Sequence, residues 1–202
     1  AQVALRLVEE GHEVYMVSRH ALREHQFDSE PGWLGPKLMA GFQRETNVDR
    51  RRTMITAARH KGSMPPGVRR ALQAAINRDE IHWHQDSVHA LDVQDSELRL
   101  HFAEQNPIVV DRVLLATGFT AHRPGGAFID ELIKSASLPC ASCGYPIVDR
   151  TLRWHPRVYV SGPLAELELG PTSRNISGAR RAAERLVAAV RSGDLGAAQT
   201  VN

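Results

Sequence analysis

The sequence predicts an α/β protein, and three patterns support this prediction. A helical pattern over residues 1–10 is followed by a turn and a buried-strand run at 14–17. A second apolar run, 113–119, ends abruptly in Ala-Thr-Gly, and a third, 156–163, also ends at a glycine before a long helical pattern. Short apolar runs of this kind are typical of parallel strands that are covered on both faces. In open α/β sheets, ligands bind beyond the carboxyl ends of such strands.

Composition excludes several classes of protein. The 202 residues are 42% hydrophobic and 24% charged, which is ordinary for a globular protein with one large or two small domains. A net charge of +2 gives no argument for nucleic acid, and no apolar run is long enough for a membrane span or resembles a signal peptide. Two cysteines predict no disulfide framework, so we expect a cytoplasmic protein.

The helical pattern is already in progress at the first residue. Ala1, Ala4, Leu5 and Val8 share one helical face, with no capping residue before them. We therefore expect a further segment upstream of this chain.

The residues that follow the first predicted strand are candidates for binding a dinucleotide. Helix, tight turn and strand form the second half of a βαβ unit, and Ser18, Arg19 and His20 stand at the tip of its strand. In dinucleotide-binding units an acidic residue at this tip binds the ribose of NAD, whereas an Arg accepts the 2′-phosphate of NADP. Arg19 without a carboxylate favours NADP; the alternative is a solvated surface arginine.

A segment rich in Gly and Pro, 27–36, predicts an irregular loop, either a functional lid or a packed connector. Helical pattern resumes over 47–60 and includes the run Asp49-Arg-Arg-Arg52. With Arg59, His60 and Lys61, this run makes a basic cluster. The cluster is interpreted either as a solvated helix face or as support for NADP phosphates.

The next stretch predicts a helix and a small meander. Pro66 suits the first turn of a helix over 68–77, and strands are predicted at 81–83, 87–93, 98–102 and 108–110, with a turn at 95–96. Several histidines lie in or near these strands, but their spacing does not predict a zinc site, and we interpret them as surface residues. No metal ligands are assigned.

Beyond Phe119 the pattern changes. Residues 123–126 predict a crossing between lobes, and 128–135 a short helix. Cys140-Ala-Ser-Cys143 is a CxxC motif, which is typical of a redox dithiol or half of a zinc site. No second CxxC follows, and Gly-Tyr-Pro after Cys143 predicts no helix that would activate a thiolate, so we assign no redox role here.

A helix is predicted over 176–191, with Ser173 or Asn175 as its cap. Its N-terminus offers free N–H groups and a positive dipole to an anionic or carbonyl-bearing ligand group; the alternative is a capped core helix without a ligand. Gly178 and the alanines would permit close packing, and the tail 192–202 is expected to be flexible. The predicted apolar face consists of Ile176, Ala179, Ala183, Leu186, Val187 and Val190.

With these motifs placed, nearly the whole chain resembles the C-terminal part of flavoproteins with two dinucleotide-binding domains, including flavin-dependent monooxygenases. Residues 1–19 resemble the NADPH-domain βαβ unit after its glycine loop, and 113–119 resembles that domain's Ala-Thr-Gly strand. Residues 158–163 and the helix from Ile176 resemble the segment that returns to the FAD domain. The loop 27–33 is distantly similar to an insertion in N-hydroxylating monooxygenases of the ornithine and lysine type.

The resemblance implies a Rossmann-like NAD(P)-binding domain with an inserted β-meander over 1–122, lacking its first strand and glycine loop. The C-terminal part of an FAD-binding domain would follow over 123–191. It implies FAD and NADPH as cofactors and no catalytic side chain, because the cofactor carries the chemistry. The implied cofactor-binding residues are Ser18, Arg19, His20, Ala116, Thr117, Gly118, Gly162, Pro163, Leu169, Gly170 and Asn175.

Two departures from the family stand out. Both glycine-rich phosphate loops are absent, and Pro163 replaces the Asp that contacts the ribityl chain in many members. Cys140 and Cys143 also lie on the wrong side of the Ala-Thr-Gly strand for the dithiol of thioredoxin reductases.

The leading hypothesis is a flavin monooxygenase that hydroxylates a small molecule, completed by a missing N-terminal half or a partner chain. The alternatives are an NADPH-dependent flavin reductase of another acceptor, and a cofactor-free remnant that acts as a binding module.

Overall fold

The computed structural model describes residues 1–94, 97–118 and 122–192. The chain divides into two compact units, the first comprising Ala1–Asp28 and Lys61–Phe119 and the second Ser29–His60 and Thr120–Asn202. The expected division at 122/123 places 29–60 with the first domain, whereas in the structure this segment packs within the second unit. Which cofactor each unit binds stays a prediction, and the expected flexible tail lies outside the described residues beyond Ser192.

The fold is mixed α/β. Short 3-10 helices lie at Pro31–Leu34, Gly162–Ala165 and Pro171–Arg174. The other elements, in chain order, are α1 (Gln2–Glu9), β1 (Val14–Ser18), β2 (Arg23–Glu24), α2 (Pro36–Arg44), α3 (Val48–Ala57), β3 (Ser63–Met64), α4 (Pro66–Asn77), β4 (Ile81–Gln85), β5 (Val88–Gln94), β6 (Glu97–Phe102), β7 (Ile108–Val110), α5 (Gly126–Ala136), β8 (Arg153–His155), β9 (Val158–Tyr159), α6 (Glu166–Leu169) and α7 (Ile176–Arg191).

The first unit begins with the helix–turn–strand that the sequence predicts. Helix α1 ends at Glu9, and Gly11 follows its C-cap: the N–H of Gly11 donates to the carbonyl of Val8 (2.9 Å) and the N–H of His12 to that of Leu7 (3.0 Å). This pair of bonds satisfies the last carbonyls of a helix that ends in glycine. Strand β1 then pairs in parallel with β4. Side chains of α1, α4, β1 and β4 form the core of this unit: Ala4, Val14, Leu72, Ala75 and Ile81.

The predicted meander is present. Strands β5, β6 and β7 form a three-stranded antiparallel sheet in sequence order. The turn expected at 95–96 lies outside the described residues. Pro66 stands in the first turn of α4, as the sequence predicts.

The strand predicted at 113–116 is wrong. Residues 112–118 have no regular secondary structure, and Leu114 and Leu115 are 65% and 82% exposed. A buried parallel strand needs neighbouring strands for its hydrogen bonds and layers that cover both faces. Among the described residues, parallel pairing in this unit is confined to two separate two-stranded sheets, β1 with β4 and β2 with β3. The apolar run 113–116 therefore has no neighbouring strand with which to form hydrogen bonds, and it stays irregular.

The second unit contains a helix that the sequence analysis missed. Helix α2 follows Trp33, and its buried Phe42 contacts the Trp33 ring edge-on, with ring centroids 6.2 Å apart. Pro36 fits the first helical turn because its missing N–H is not needed there. Helix α3 is confirmed, with the Asn47 side chain capping its first N–H groups.

The strand predicted over 156–163 is shorter in the structure. Only Val158 and Tyr159 form β9, which pairs antiparallel with β8, because the backbone turns into a 3-10 helix at Gly162. The helix predicted at 128–135 is confirmed as α5. These elements surround a second core composed of Ile129, Leu138, Leu152, Trp154, Val160, Ala165, Leu169 and Ala182.

Helix α7 has the predicted bounds, but its apolar face is wrong. Gly178, Ala182 and Ala189 are buried, whereas Ile176 and Val187 are 87% and 47% exposed. A Cβ on Gly178 would lie 2.7 Å from the carbonyl carbon of Ser173, far inside normal contact. This close approach turns the small residues inward. It leaves an exposed stripe, called here the α7 stripe: Ile176, Ala179, Ala183, Val187 and Val190.

A buried carboxylate connects α3 to the segment that precedes α7. Glu166 is fully buried and pairs with Arg52, with Arg59 (3.1 Å) and with Arg174 (2.9 Å). The Arg52 guanidinium also lies over the ring of Tyr145, 4.0 Å from its centroid. Burial disfavours the charged form of Arg52, but hydrogen bonds to Glu166 and Cys143 outweigh it and raise its pKa.

The neighbouring Glu168 repeats this arrangement on a smaller scale. Its carboxylate pairs with Arg51 and Arg185, each at 2.8 Å. The basic cluster of the sequence is therefore largely not a solvated helix face, because Arg51, Arg52 and Arg59 have side chains that are at most 22% exposed. Arg50, at 76%, and the exposed Lys61 match the solvated interpretation.

Gly178→Ala tests the close approach of α7. We expect the free energy of unfolding to fall by about 2–3 kcal/mol, because the new methyl group overlaps backbone atoms. The control is Gly41→Ala in α2, where an added Cβ would meet nothing within 4 Å. Higher helix propensity should make that variant about 0.5–1 kcal/mol more stable. Urea unfolding measures both, and equal effects would contradict the packing described here.

Glu166→Gln tests the buried ion-pair cluster. The substitution leaves three guanidinium groups without their carboxylate, so we expect a loss of about 3–5 kcal/mol in the free energy of unfolding. Glu184→Gln, an exposed position on α7, is the control and should change stability by less than about 0.5 kcal/mol. If the two variants unfold at the same urea concentration, the charge of Glu166 is not required for the stability of the fold.

Candidate functional site

The carboxyl ends of β1 and β4 form one edge of the first unit. Their register pairs Ser18 with Gln85, so the residues after both strands emerge side by side. The Ser18 hydroxyl accepts a hydrogen bond from Trp83 Nε1 (2.9 Å) and donates one to the carbonyl of His20 (3.0 Å). Ser18 therefore shapes the turn, and its hydroxyl is already engaged within the protein.

Arg19 has the exposure that an anion-binding residue needs. Its side chain is exposed, and no hydrogen bond or ion pair to its guanidinium is found with the described residues. Anionic ligands are recognised by such guanidinium groups through charge-assisted hydrogen bonds. The role of Arg19 stays a prediction, and its geometry is compatible with that role.

His20 forms a wall of this edge. Its Nδ1 lies 2.9 Å from the carbonyl of Ala21, and its ring packs against Gly62, where a Cβ would come within 2.8 Å of Nε2. Any larger residue at position 62 would displace the imidazole. His20 is thus held in place by the loop before β3.

The sequence analysis missed one acidic residue at this edge. Asp86 follows β4, is 8% exposed, and accepts hydrogen bonds from the N–H groups of Ser87 (2.6 Å) and Glu104 (3.1 Å). Burial disfavours the ionised form of Asp86, but these backbone hydrogen bonds outweigh it, so its pKa is lowered. The carboxylate anchors the meander to the end of β4. No pattern in the sequence marks it, because its partners are backbone groups.

The other predicted residues of the first unit lie in the irregular segment. Ala116, Thr117 and Gly118 are exposed, and Gly118 has a φ of +72°. Glycine adopts such a positive φ at no steric cost, which lets the backbone turn where the apolar run ends. The three residues are accessible, but they do not follow a strand as predicted.

The second unit contains the remaining predicted residues, on the segment between β9 and α7. Gly162 has a φ of +58°, and an added Cβ there would meet nothing within 4 Å, so its backbone is open to approach by a ligand. Pro163 stands in the first turn of the 3-10 helix that follows. Gly170 has a φ of +83° and packs on Met39, with a Cβ–Sδ distance of 3.1 Å for an added Cβ.

Two of these residues are engaged within the fold. Leu169 is 1% exposed and belongs to the core, so its side chain is not available to a cofactor. The Asn175 side chain accepts a hydrogen bond from the N–H of Gly178 (3.1 Å), which confirms Asn175 as the cap of α7. Only the backbone of Leu169 and the amide nitrogen of Asn175 remain for a ligand.

The buried ion pairs hold this segment in place. Glu166 and Arg174 both lie between Gly162 and Asn175, and Arg181 fixes the adjacent loop by donating to the carbonyl of Trp33 (3.2 Å). The Ser173 hydroxyl is buried without a hydrogen-bond partner among the described residues. The ion pairs of Glu166 and the hydrogen bond of Arg181 therefore anchor the segment that is predicted to approach a cofactor.

No group of three or more His, Cys, Asp or Glu side chains in the described part of the chain is arranged to hold a metal ion. No helix there is both long and apolar enough to cross a membrane.

Comparison with known proteins identifies a family for most of the chain. Residues 39–193 match the family model described as pyridine nucleotide-disulphide oxidoreductase. No protein among those with curated functions gives a significant match.

Among solved structures, the chain is similar to the FAD-bound cadaverine monooxygenase DfoA of Erwinia amylovora, with 11% identity and a TM-score of 0.68, covering 100% of this chain and 52% of that one. It is similar to the ornithine hydroxylase PvdA of Pseudomonas aeruginosa, with 12% identity and a TM-score of 0.74, covering 96% of this chain and 50% of that one. The reduced form of PvdA gives 14% identity and a TM-score of 0.64, covering 96% and 49%.

The chain thus spans about half the length of the solved structures that it matches. The structural likeness shows a fold shared with DfoA and PvdA, and the family model covers most of the chain. The chain belongs to the pyridine nucleotide-disulphide oxidoreductase family and has a flavoprotein monooxygenase-like fold.

Proposed function

We propose that this chain is part of an FAD- and NADPH-dependent oxidoreductase, of the monooxygenase type, that hydroxylates a small molecule. The observation that carries this proposal is the match of 96% of the chain to a flavin-dependent hydroxylase fold, at a TM-score of 0.74. The solved relatives are described as acting on cadaverine and ornithine. Small primary amines are therefore the first substrates to try.

In this proposal the first unit is Rossmann-like and binds NADPH. Its parallel β1–β4 pair, packed on α1 and α4, supplies the edge where a dinucleotide binds in such folds. The exposed guanidinium of Arg19 would bind the 2′-phosphate, with the Ser18–His20 turn along the ribose. Thr117 and Gly118 would approach the nicotinamide.

The second unit would contribute to the FAD site. The open backbone at Gly162 and the capped, exposed N-terminus of α7 fit a flavin, because they offer close approach and free N–H groups. When bound, FAD would accept hydride from NADPH and deliver electrons to oxygen. Pro163, Gly170 and the Asn175 amide nitrogen would border it, and the Glu166 ion pairs would hold them in position. No side chain is proposed as an acid, base or nucleophile.

Exposed apolar groups support a role for a further polypeptide. In the first unit Leu114 and Leu115 are 65% and 82% exposed, and in the second unit the α7 stripe is uncovered. Clustered apolar residues on a protein surface are typical of sites that another surface covers. We propose that the N-terminal half of the flavoprotein, or a partner chain, covers them.

A second candidate function is a cofactor-free binding module. It is favoured by the irregular, exposed backbone of 113–118, which as a strand would line a nucleotide site. The two candidates predict different behaviour towards FAD.

The first measurement is a visible absorption spectrum of the purified protein, with the intact mass of the same sample. We expect a flavin spectrum, either in the preparation or after FAD is added, together with a longer chain or a partner. Hydroxylated ornithine or cadaverine in step with NADPH consumption would identify a monooxygenase, whereas NADPH consumption yielding only peroxide would identify a reductase. A colourless protein that also fails to bind added FAD in the presence of its partner would favour the binding module.

Arg19→Ala tests the cofactor preference. Loss of one guanidinium–phosphate contact should weaken binding of NADP⁺ on the order of 10–100-fold, while binding of NAD⁺ is unchanged. The matched control is Arg70→Ala, which removes the same charge from an exposed position on α4. Isothermal titration calorimetry measures all four affinities. Equal NADP⁺ affinity in the two variants would remove Arg19 from the site.

A further inference from the structure

An apolar groove, called here the Trp33 groove, lies between the first 3-10 helix, α2 and α3, and its volume is about 310 Å³. All of its lining residues belong to the second unit. Each of the three elements contributes one large apolar side chain to the walls, namely Trp33, Leu38 and Met54. Ala57 and Ala58, at the end of α3, line the remainder with small side chains. This volume is at the lower end of the range for small-molecule sites.

The walls of the Trp33 groove are held in place by contacts outside it. The Trp33 carbonyl accepts hydrogen bonds from Arg181 Nη1 and Nη2, both at 3.2 Å, and the Trp33 ring meets Phe42 edge-on. At Gly32 an added Cβ would lie 3.0 Å from Leu38 Cδ1, so the backbone passes close to the Leu38 side chain. Because these walls are already ordered, a ligand would lose little affinity to the ordering of side chains.

The polar residues that line the Trp33 groove are Glu30 and His60. The side chain of Glu30 is exposed, and no hydrogen bond or ion pair to its carboxylate is found with the described residues. Arg59, the neighbour of His60, donates instead to Glu166 (3.1 Å) and to the carbonyl of Pro171 (3.3 Å). Among the described residues that line the groove, none is an arginine or a lysine. The groove therefore presents an uncompensated carboxylate beside an apolar wall.

We propose that the Trp33 groove binds a small organic monocation, composed of an aromatic ring and a short chain that ends in one ammonium group. The ring would lie against Trp33 and Met54, because indole rings and thioether sulfurs both make favourable contacts with aromatic rings. The ammonium would pair with Glu30, because a carboxylate forms charge-assisted hydrogen bonds with a cation. A diamine fits less well, because its second ammonium would lose water against an apolar wall.

This inference goes beyond the proposed function. The groove contains none of the residues that are proposed to bind FAD or NADPH, and its occupation requires neither cofactor. The absence of flavin from the protein would therefore leave this inference standing, and an empty groove would leave the flavoprotein proposal standing.

Phenylethylammonium is the probe, titrated into the full chain by isothermal titration calorimetry. We expect saturable binding of one molecule per chain. Phenylpropionate, which has the same ring and an anionic end, and cadaverine, a diamine, should each bind at least about tenfold more weakly. Equal affinity for either of them, or no saturable binding of the probe, would overturn the proposal. Binding that is lost when the partner polypeptide is present would assign the groove to that polypeptide and overturn it too.

Ala57→Phe tests whether the probe occupies this groove. The side chain of Ala57 is exposed, so the variant should fold, and its new ring would fill the space between the walls. We expect affinity for phenylethylammonium to fall at least about tenfold. Thr56→Phe is the matched control, because it places the same ring at an exposed neighbouring position of α3 that does not line the groove. An equal loss in both variants, or no loss in Ala57→Phe, would place the probe elsewhere and overturn the proposal.

Glu30→Gln tests the pairing of the ammonium. Because this ion pair is exposed to solvent, we expect affinity to fall by about three- to fivefold at low salt, with a smaller loss at high salt. Glu131→Gln removes an exposed carboxylate from α5 and should leave the affinity unchanged. Equal affinities of the Glu30→Gln variant and the unmodified chain at low salt would overturn the assignment of Glu30.

Discussion

The second unit depends on one buried carboxylate. Glu166 is fully enclosed, and its charge is balanced by guanidinium groups from α3 and from the segment before α7. Buried ion pairs give little net stability compared with apolar packing, but they are costly to break because a charge is then left without a partner. The cluster therefore acts mainly as a constraint on geometry. It fixes how α3 lies against the turn between Gly162 and Asn175.

The same constraint connects two chemically distinct features. Arg52 Nη1 donates a hydrogen bond to the carboxylate of Glu166, and Arg52 Nε donates one to Cys143 Sγ. The proposed flavin-facing turn and the Cys140–Cys143 turn thus share a single side chain. Substitution of Arg52 would therefore disturb both turns at once.

Local sequence signals predicted much of the fold. Asn175, one of the two candidate caps, caps α7, and the bounds of α7 and β7 are those predicted, because capping and periodicity depend on neighbouring residues. The failures concern distant partners. Glu166 lies 114 residues from Arg52, so the pairing could not be inferred from the arginine run. The inward face of α7 is set by the close approach of Gly178 to the backbone of Thr172 and Ser173. The periodicity of hydrophobic residues carries no information about such a contact. Residues 113–116 have the composition of a strand, but a strand forms only where neighbouring strands supply its hydrogen bonds.

That irregular segment has a consequence for the behaviour of the isolated chain in solution. Backbone N–H and C=O groups beside exposed leucines are a template for pairing with another chain. Self-association through such a segment increases with concentration and competes with any specific partner. The concentration at which the isolated chain begins to self-associate would therefore be set by this short apolar stretch, and not by its modest net charge.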